Sequence, residues 1–250
     1  MIKSAFVYFP FLLLLFACQS KQTPAKKAES SGDKNPSETF TVQGEQITQK
    51  PRISDVQASG KEAKESSTLF HRGLELIQAQ NYEEGIGYLN RALETEPENS
   101  RILFNRGFAY FSMKKYDDAM ADFMRSLKIN PSDTMALLYS GMTKYYKNDF
   151  QGALEDYSNA ILKSKGFSKA YYNSGIARGQ LRDYNGAVED FTKSIILDPN
   201  FPEAYYNRGL AKFFKRDTSN ACLDWTQATR MGSPSAQKAI EIYCKSKYSQ

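Results

Sequence analysis

Residues 168–201 read SKAYYNSGIARGQLRDYNGAVEDFTKSIILDPNF, and the same 34-residue wording returns on either side, five times in all between residues 66 and 235. Counting from the first residue of each unit, position 8 holds Gly73, Gly107, Gly141, Gly175 and Gly209. Position 20 holds Gly85, Ala119, Ala153, Ala187 and Ala221, all small. Two small columns in every unit mark where a pair of helices crosses so closely that a bulky side chain would force it apart. Position 24 carries the large residue that fills the space beside the crossing: Leu89, Phe123, Tyr157, Phe191 and Trp225. Position 27 is small again, with Ala92, Ser126, Ala160, Ser194 and Ala228. Pro97, Pro131 and Pro199 at position 32 end the second helix, because proline cannot continue one. Lys165 and Ser233 depart from that column, Pro234 falling one place late. The turn inside each unit is also regular, Asn81-Tyr82, Lys115-Tyr116, Asp149-Phe150 and Asp183-Tyr184, until the aromatic is lost at Asp217-Thr218.

A 34-residue period with these columns resembles the tetratricopeptide repeat (TPR) family, in units 66–99, 100–133, 134–167, 168–201 and 202–235. The resemblance implies an all-α fold, a right-handed α-solenoid of five helix-turn-helix units. After it, residues 236–250 (AQKAIEIYCKSKYSQ) place Ala239, Ile240 and Tyr243 on one helical face with charged residues opposite. They are expected to form a helix that caps the solenoid's open end.

The composition is globular, with 41% hydrophobic and 24% charged residues in 250. The net charge of +5 is spread along the chain and gathered into no stripe, so no nucleic-acid partner is expected. A single histidine, His71, leaves no His pair for zinc and no base for a Ser-His or Cys-His nucleophile. None of the GxxxxGK[ST], HExxH, CxxC or GxSxG motifs occurs. Asp122, Asp156, Asp190 and Asp224 do share position 23, but a catalytic pair is placed once, whereas a carboxylate in four successive units is a packing element. Arg72, Arg106 and Arg208 at position 7 are its candidate partners. No catalytic residue, metal, cofactor or small-molecule substrate is expected.

Residues 1–18, MIKSAFVYFPFLLLLFAC, set Lys3 before an apolar run from Ala5 to Ala17, shorter than the ~20 residues of a membrane span. Residues 1–17 read as a signal peptide. Leu15-Phe16-Ala17-Cys18 resembles the lipobox of bacterial lipoproteins, which implies that Cys18 is acylated and becomes the first residue of the mature protein. Several acyl chains hold a protein on a membrane where one does not. An ordinary secretory signal with Cys18 incidental is the alternative. In that family Asp after the cysteine marks inner-membrane retention; Gln19 and Ser20 therefore imply the outer membrane. QSKQTPAKKAES lacks the acidic pair of surface export, which places the anchor on the periplasmic side, with the cell surface as the alternative. Residues 18–65 are polar and are expected to form a flexible tether with a reach of roughly 35 to 40 Å.

In TPR arrays the first helix of each unit lines the concave face, and positions 2, 5, 6, 9, 12 and 13 are the usual contacts. The resemblance thus points to a peptide-binding groove of Phe70, Phe104, Tyr172 and Tyr206 at position 5 and His71, Asn105, Tyr139, Asn173 and Asn207 at position 6. A side-chain amide pairs with an extended backbone without reading its sequence. The competing reading is that the aromatics pack between units and the asparagines only hydrate the surface. Carboxylate-clamp TPRs want Lys at position 5 and Asn at position 9; Phe70 with Leu74 and Phe104 with Phe108 do not supply them. Cys222 at position 21 and Cys244, at position 9 if the cap keeps the register, stand in otherwise apolar columns. Both a disulfide and two buried thiols fit an exported chain.

These readings converge on a non-enzymatic scaffold of the bacterial envelope. It would dock a protein or peptide partner and meet the membrane through its lipid. The layout is similar to TPR lipoproteins that serve outer-membrane β-barrel or pilus secretin assembly. An accessory subunit recruiting a cell-wall or polysaccharide enzyme is the second reading.

Overall fold

The computed structural model describes residues 60–244. Cys18, the signal stretch and the tether up to residue 59 lie outside them, as does the chain after Cys244. Eleven helices follow one another: α1 (Gly60–Gln78), α2 (Tyr82–Thr95), α3 (Ser100–Ser112), α4 (Tyr116–Ile129), α5 (Thr134–Tyr146), α6 (Phe150–Lys163), α7 (Ser168–Gln180), α8 (Tyr184–Leu197), α9 (Pro202–Phe214), α10 (Thr218–Arg230) and α11 (Pro234–Tyr243). Each odd helix up to α9 packs on the even helix after it, each pair packs on the next, and α11 closes against α10. The fold is an all-α TPR-like array of five pairs plus a capping helix. α1 starts at Gly60, so the end of the stretch assigned to the tether is helical.

The crossing columns explain the pairs. Leu89, Phe123, Tyr157, Phe191 and Trp225 are buried, and each abuts the position-8 glycine of its own unit. A Cβ added at Gly141 would stand 2.5 Å from Cε1 of Tyr157, and one at Gly209 2.5 Å from Nε1 of Trp225. Neither separation is possible between packed atoms. Trp225 keeps its polar edge satisfied by donating from Nε1 to the carbonyl of Tyr206, at 3.1 Å.

The aspartates of position 23 clasp the two helices of a unit, by two chemical routes. In units 2 and 5 the cation comes from position 7. Arg106 donates to both oxygens of Asp122 at 2.6 and 2.7 Å, and Arg208 to both oxygens of Asp224 at 2.7 and 2.9 Å. Such two-pronged pairs are the strongest ion pairs geometry allows. In units 3 and 4 position 7 is serine. Ser140 donates to Asp156 and Ser174 to Asp190, while the cation moves to position 11, where Lys144 and Arg178 reach the same carboxylates at 2.8 and 2.9 Å. Unit 5 has both, since Lys212 also pairs with Asp224 at 2.7 Å. Unit 1 has no aspartate there: Tyr88 takes its place, and Arg72 pairs with Glu75 on its own helix while also meeting the Tyr88 side chain across the unit.

Every turn inside a unit places position 15 in the left-handed region, at Gln80, Lys114, Asn148, Arg182 and Arg216, with φ between 61° and 65°. Unit 5 also leaves by a turn of this kind. Gly232 has φ 89°, and Ser233 N–H bonds the carbonyl of Ala228, as Asp217 N–H bonds that of Lys212. This explains the displaced proline: Pro234 opens α11 and ends nothing. A disulfide joins Cys222 on α10 to Cys244 at the end of α11, with Cα atoms 6.0 Å apart. Beside it Tyr243 packs on Phe213 and Trp225, with ring centroids 4.6 and 5.8 Å apart.

Candidate functional site

The odd helices α1 to α9 carry positions 2, 5, 6, 9 and 13, and burial divides the nine expected groove residues. Phe70, Tyr139, Tyr172, Tyr206 and Asn207 are buried, which corrects their assignment as ligand contacts. The cause is packing both between and within units. Tyr139 is enclosed by Phe104, Phe108, Phe111 and Phe123, all with ring centroids within 6.1 Å. Burial there pushes its hydroxyl up to about 12. Tyr172 packs on Phe201 and Phe191 with centroids 4.5 and 5.8 Å apart. Asn207 is wholly buried; its Nδ2 donates to the Tyr172 hydroxyl at 3.0 Å, and its Oδ1 has no protein partner. Tyr206 is likewise buried, and this raises its hydroxyl above the usual range.

His71, Phe104, Asn105 and Asn173 remain at the surface or half-buried. The two amides are held alike: Asn105 Nδ2 donates to the carbonyl of Arg101 at 2.7 Å and Asn173 Nδ2 to that of Lys169 at 2.8 Å, each one turn back. One N–H of each NH₂ group is thereby fixed, which orients the amide. His71 Nδ1 lies 2.6 Å from the carbonyl of Ser67, also one turn back. Between these rungs Leu74, Phe108, Met142 and Ile176 at position 9 are half-buried. Arg101 and Lys169 at position 2 are exposed, Arg101 lying 5.4 Å over the Phe70 ring.

Sequence reasoning passed over three contributors to this face. Arg101 and Lys169 stand two units apart in a column otherwise filled by Ser67, Met135 and Glu203, and that break in uniformity was the available signal. Gln180 at position 13 donates to the Tyr145 hydroxyl at 2.8 Å, bridging units 3 and 4 where the neighbouring junctions stack aromatics instead. Those stacks are Tyr116 on Tyr146, 5.2 Å apart, and Tyr184 on Phe214, 5.3 Å apart. Among the described residues, no group of His, Cys, Asp or Glu is arranged to hold a metal ion, and no helix is long and apolar enough to cross a membrane.

Residues 100–133 match a family model described as tetratricopeptide repeat, and residues 180–213 match one described as TPR repeat. These two stretches are tetratricopeptide repeats, set in a TPR-like array. The first match coincides with unit 2, whereas the second joins α8 to α9 across two units, as a periodic chain permits. No curated protein matches the chain. Among solved structures it is similar to MamA of Desulfovibrio magneticus RS-1, with 21% identity, TM-score 0.64, and 70% of this chain and 97% of that one covered. PilF of Pseudomonas aeruginosa follows with 17% identity, TM-score 0.66 and coverage of 75% and 88%. YrrB, described as a TPR protein with an unusual peptide-binding site, has 17% identity, TM-score 0.62 and coverage of 73% and 94%. At these identities the likeness is one of fold.

Proposed function

We propose that this TPR array is a non-enzymatic protein-binding scaffold of the bacterial cell envelope, gripping an extended segment of a partner on the face of its odd helices. The observation that carries the reading is the pair Asn105 and Asn173. Both are accessible amides fixed on their own helices, two units apart, with the half-buried Phe108, Met142 and Ile176 beside them. A preset amide offers an extended backbone both donor and acceptor at little ordering cost, and the apolar row offers area to bury. Anchoring at Cys18 on the periplasmic side of the outer membrane belongs to the same proposal and rests on the Leu15-Phe16-Ala17-Cys18 wording.

A photo-crosslinking residue at position 105 or 173 should capture the same envelope protein, and one at the exposed Glu94 on α2 should not. Equal capture from Glu94 would move the working surface elsewhere. For the anchor, Cys18→Ser should abolish labelling by a fatty-acid analogue; unchanged labelling would refute it.

A further inference from the structure

Away from the odd-helix face, three second helices end at the same position of their units: α4 at Ile129, α6 at Lys163 and α8 at Leu197. Their last two residues, positions 29 and 30, are Lys128-Ile129, Leu162-Lys163 and Ile196-Leu197. Leu162 is 72% exposed and Ile196 65%, and Ile129 and Leu197 are exposed as well. Around them Lys128, Lys163, Lys165 and Lys193 are exposed, as is Arg125, which donates to the carbonyl of Pro97 between Glu96 and Glu98. The exposed carboxylates are Glu189, one turn before Lys193, and Asp198, which accepts from the backbone N–H of Asn200. The framework does not require this pattern. Unit 1 has Glu94 and Thr95 at the same two positions, followed by Glu96 and Glu98, and unit 5 has Arg230 and Met231. A lysine in a last turn also suits the helix dipole, so the lysines alone decide nothing. The large aliphatics held in water beside them do.

We propose that this edge of units 2 to 4 rests on an anionic lipid surface. Charge complementarity selects the occupant, because Lys128, Lys163, Lys165 and Lys193 outnumber the exposed Glu189 and Asp198 at these helix ends, Arg125 being engaged by the Pro97 carbonyl. The apolar residues are of the type that enters the boundary between headgroups and acyl chains, leucine and isoleucine, with lysine stems able to reach back to phosphate. Protein interfaces draw instead on Trp, Tyr and Arg and are depleted in Lys. The edge lies on even helices and the amide face on odd ones, so lipid contact leaves Asn105 and Asn173 available. The inference does not depend on the binding reading or on the Cys18 anchor.

The test removes the anchor. All described core contacts fall within residues 60–244, so a chain starting at Gln19 keeps them. Its partition onto phosphatidylethanolamine vesicles containing phosphatidylglycerol is measured by co-sedimentation, with phosphatidylcholine vesicles as the comparison. Binding should require the anionic lipid and weaken with salt. Lys163→Glu with Lys165→Glu should lower the partition about tenfold or more. Leu162→Ser with Ile196→Ser should lower it too, at unchanged melting temperature, whereas Asn105→Ala with Asn173→Ala should not. Equal binding to both vesicle types, or none, would overturn the proposal. So would self-association in sedimentation velocity that the same edge variants abolish without any vesicle binding, since the edge would then join copies of the chain.

Discussion

Helices α7 and α9 carry almost the same words, KAYYNSGIA at 169–177 and EAYYNRGLA at 203–211, yet their asparagines meet opposite fates. Asn173 is accessible and bonded to its own helix, while Asn207 is wholly buried and bonded to Tyr172 of the preceding unit. The difference lies 35 residues back. The residue before Asn207 in that sense is Tyr172, whose hydroxyl captures the amide; the one before Asn173 is Leu138, which has nothing to offer. Before Asn105 stands Phe70, equally mute. In an array where each unit touches only its neighbours, a residue's environment is written in the adjacent unit's variable positions.

What the two helices share should break them equally. Leucine at Gly175 or Gly209 must displace Phe191 or Trp225, whose atoms would lie 2.8 and 2.5 Å from a new Cβ. Each substitution should cost about 1 to 3 kcal/mol or more in thermal unfolding. A parent-like melt for either would show that the glycine column is not the crossing.

What they do not share should separate them. Asp224 is buried between Arg208 and Lys212, so Asp224→Asn leaves two cations uncompensated and should cost about 3 kcal/mol. Asp190 is different: burial raises its pKa in spite of Ser174 and Arg178, so its ionised form is a net cost to the fold. A raised folded value contributes stability that is fully present below the unfolded pKa of about 3.9 and is lost as pH rises through the folded one. Asp190→Asn should therefore cost least near neutral pH and more as the pH falls toward that range, as followed by melts at several pH values. A neutral-pH penalty matching that of Asp224→Asn would erase the distinction between the two clasps.

Smaller effects sharpen the asparagine contrast. Tyr172→Phe removes the only protein partner of a buried amide and should cost roughly 1 to 2 kcal/mol. Asn173→Ala changes a surface residue and should stay within about 0.5 kcal/mol of the parent in the same melt.

The helical pairs, their crossing glycines and the knobs of position 24 were legible because their repetition is itself the packing rule. The aspartate column was legible as a clasp, though half of it draws its cation from position 11 alone, and only Ser140 and Ser174 hinted at the exchange. The buried half of the expected groove was not legible. Tyr139, Tyr172, Tyr206 and Asn207 stand in contact columns of the family pattern, and the variable side chains packed around them, in their own and adjoining units, decide which of them closes over. The exit turn at Gly232 was visible as a misplaced proline, without its cause.

The central claim is that ligand binding uses the accessible amides and not the buried one. Calorimetric titration of the cross-linked partner, once purified, against the parent, Asn105→Ala with Asn173→Ala, and Asn207→Ala tests it directly. At about 1 kcal/mol per lost hydrogen bond, the double variant should bind at least tenfold more weakly with an unchanged melting temperature. Asn207→Ala should keep its affinity wherever it remains folded. Parent-like affinity in the double variant, or a selective loss in folded Asn207→Ala, would contradict the account.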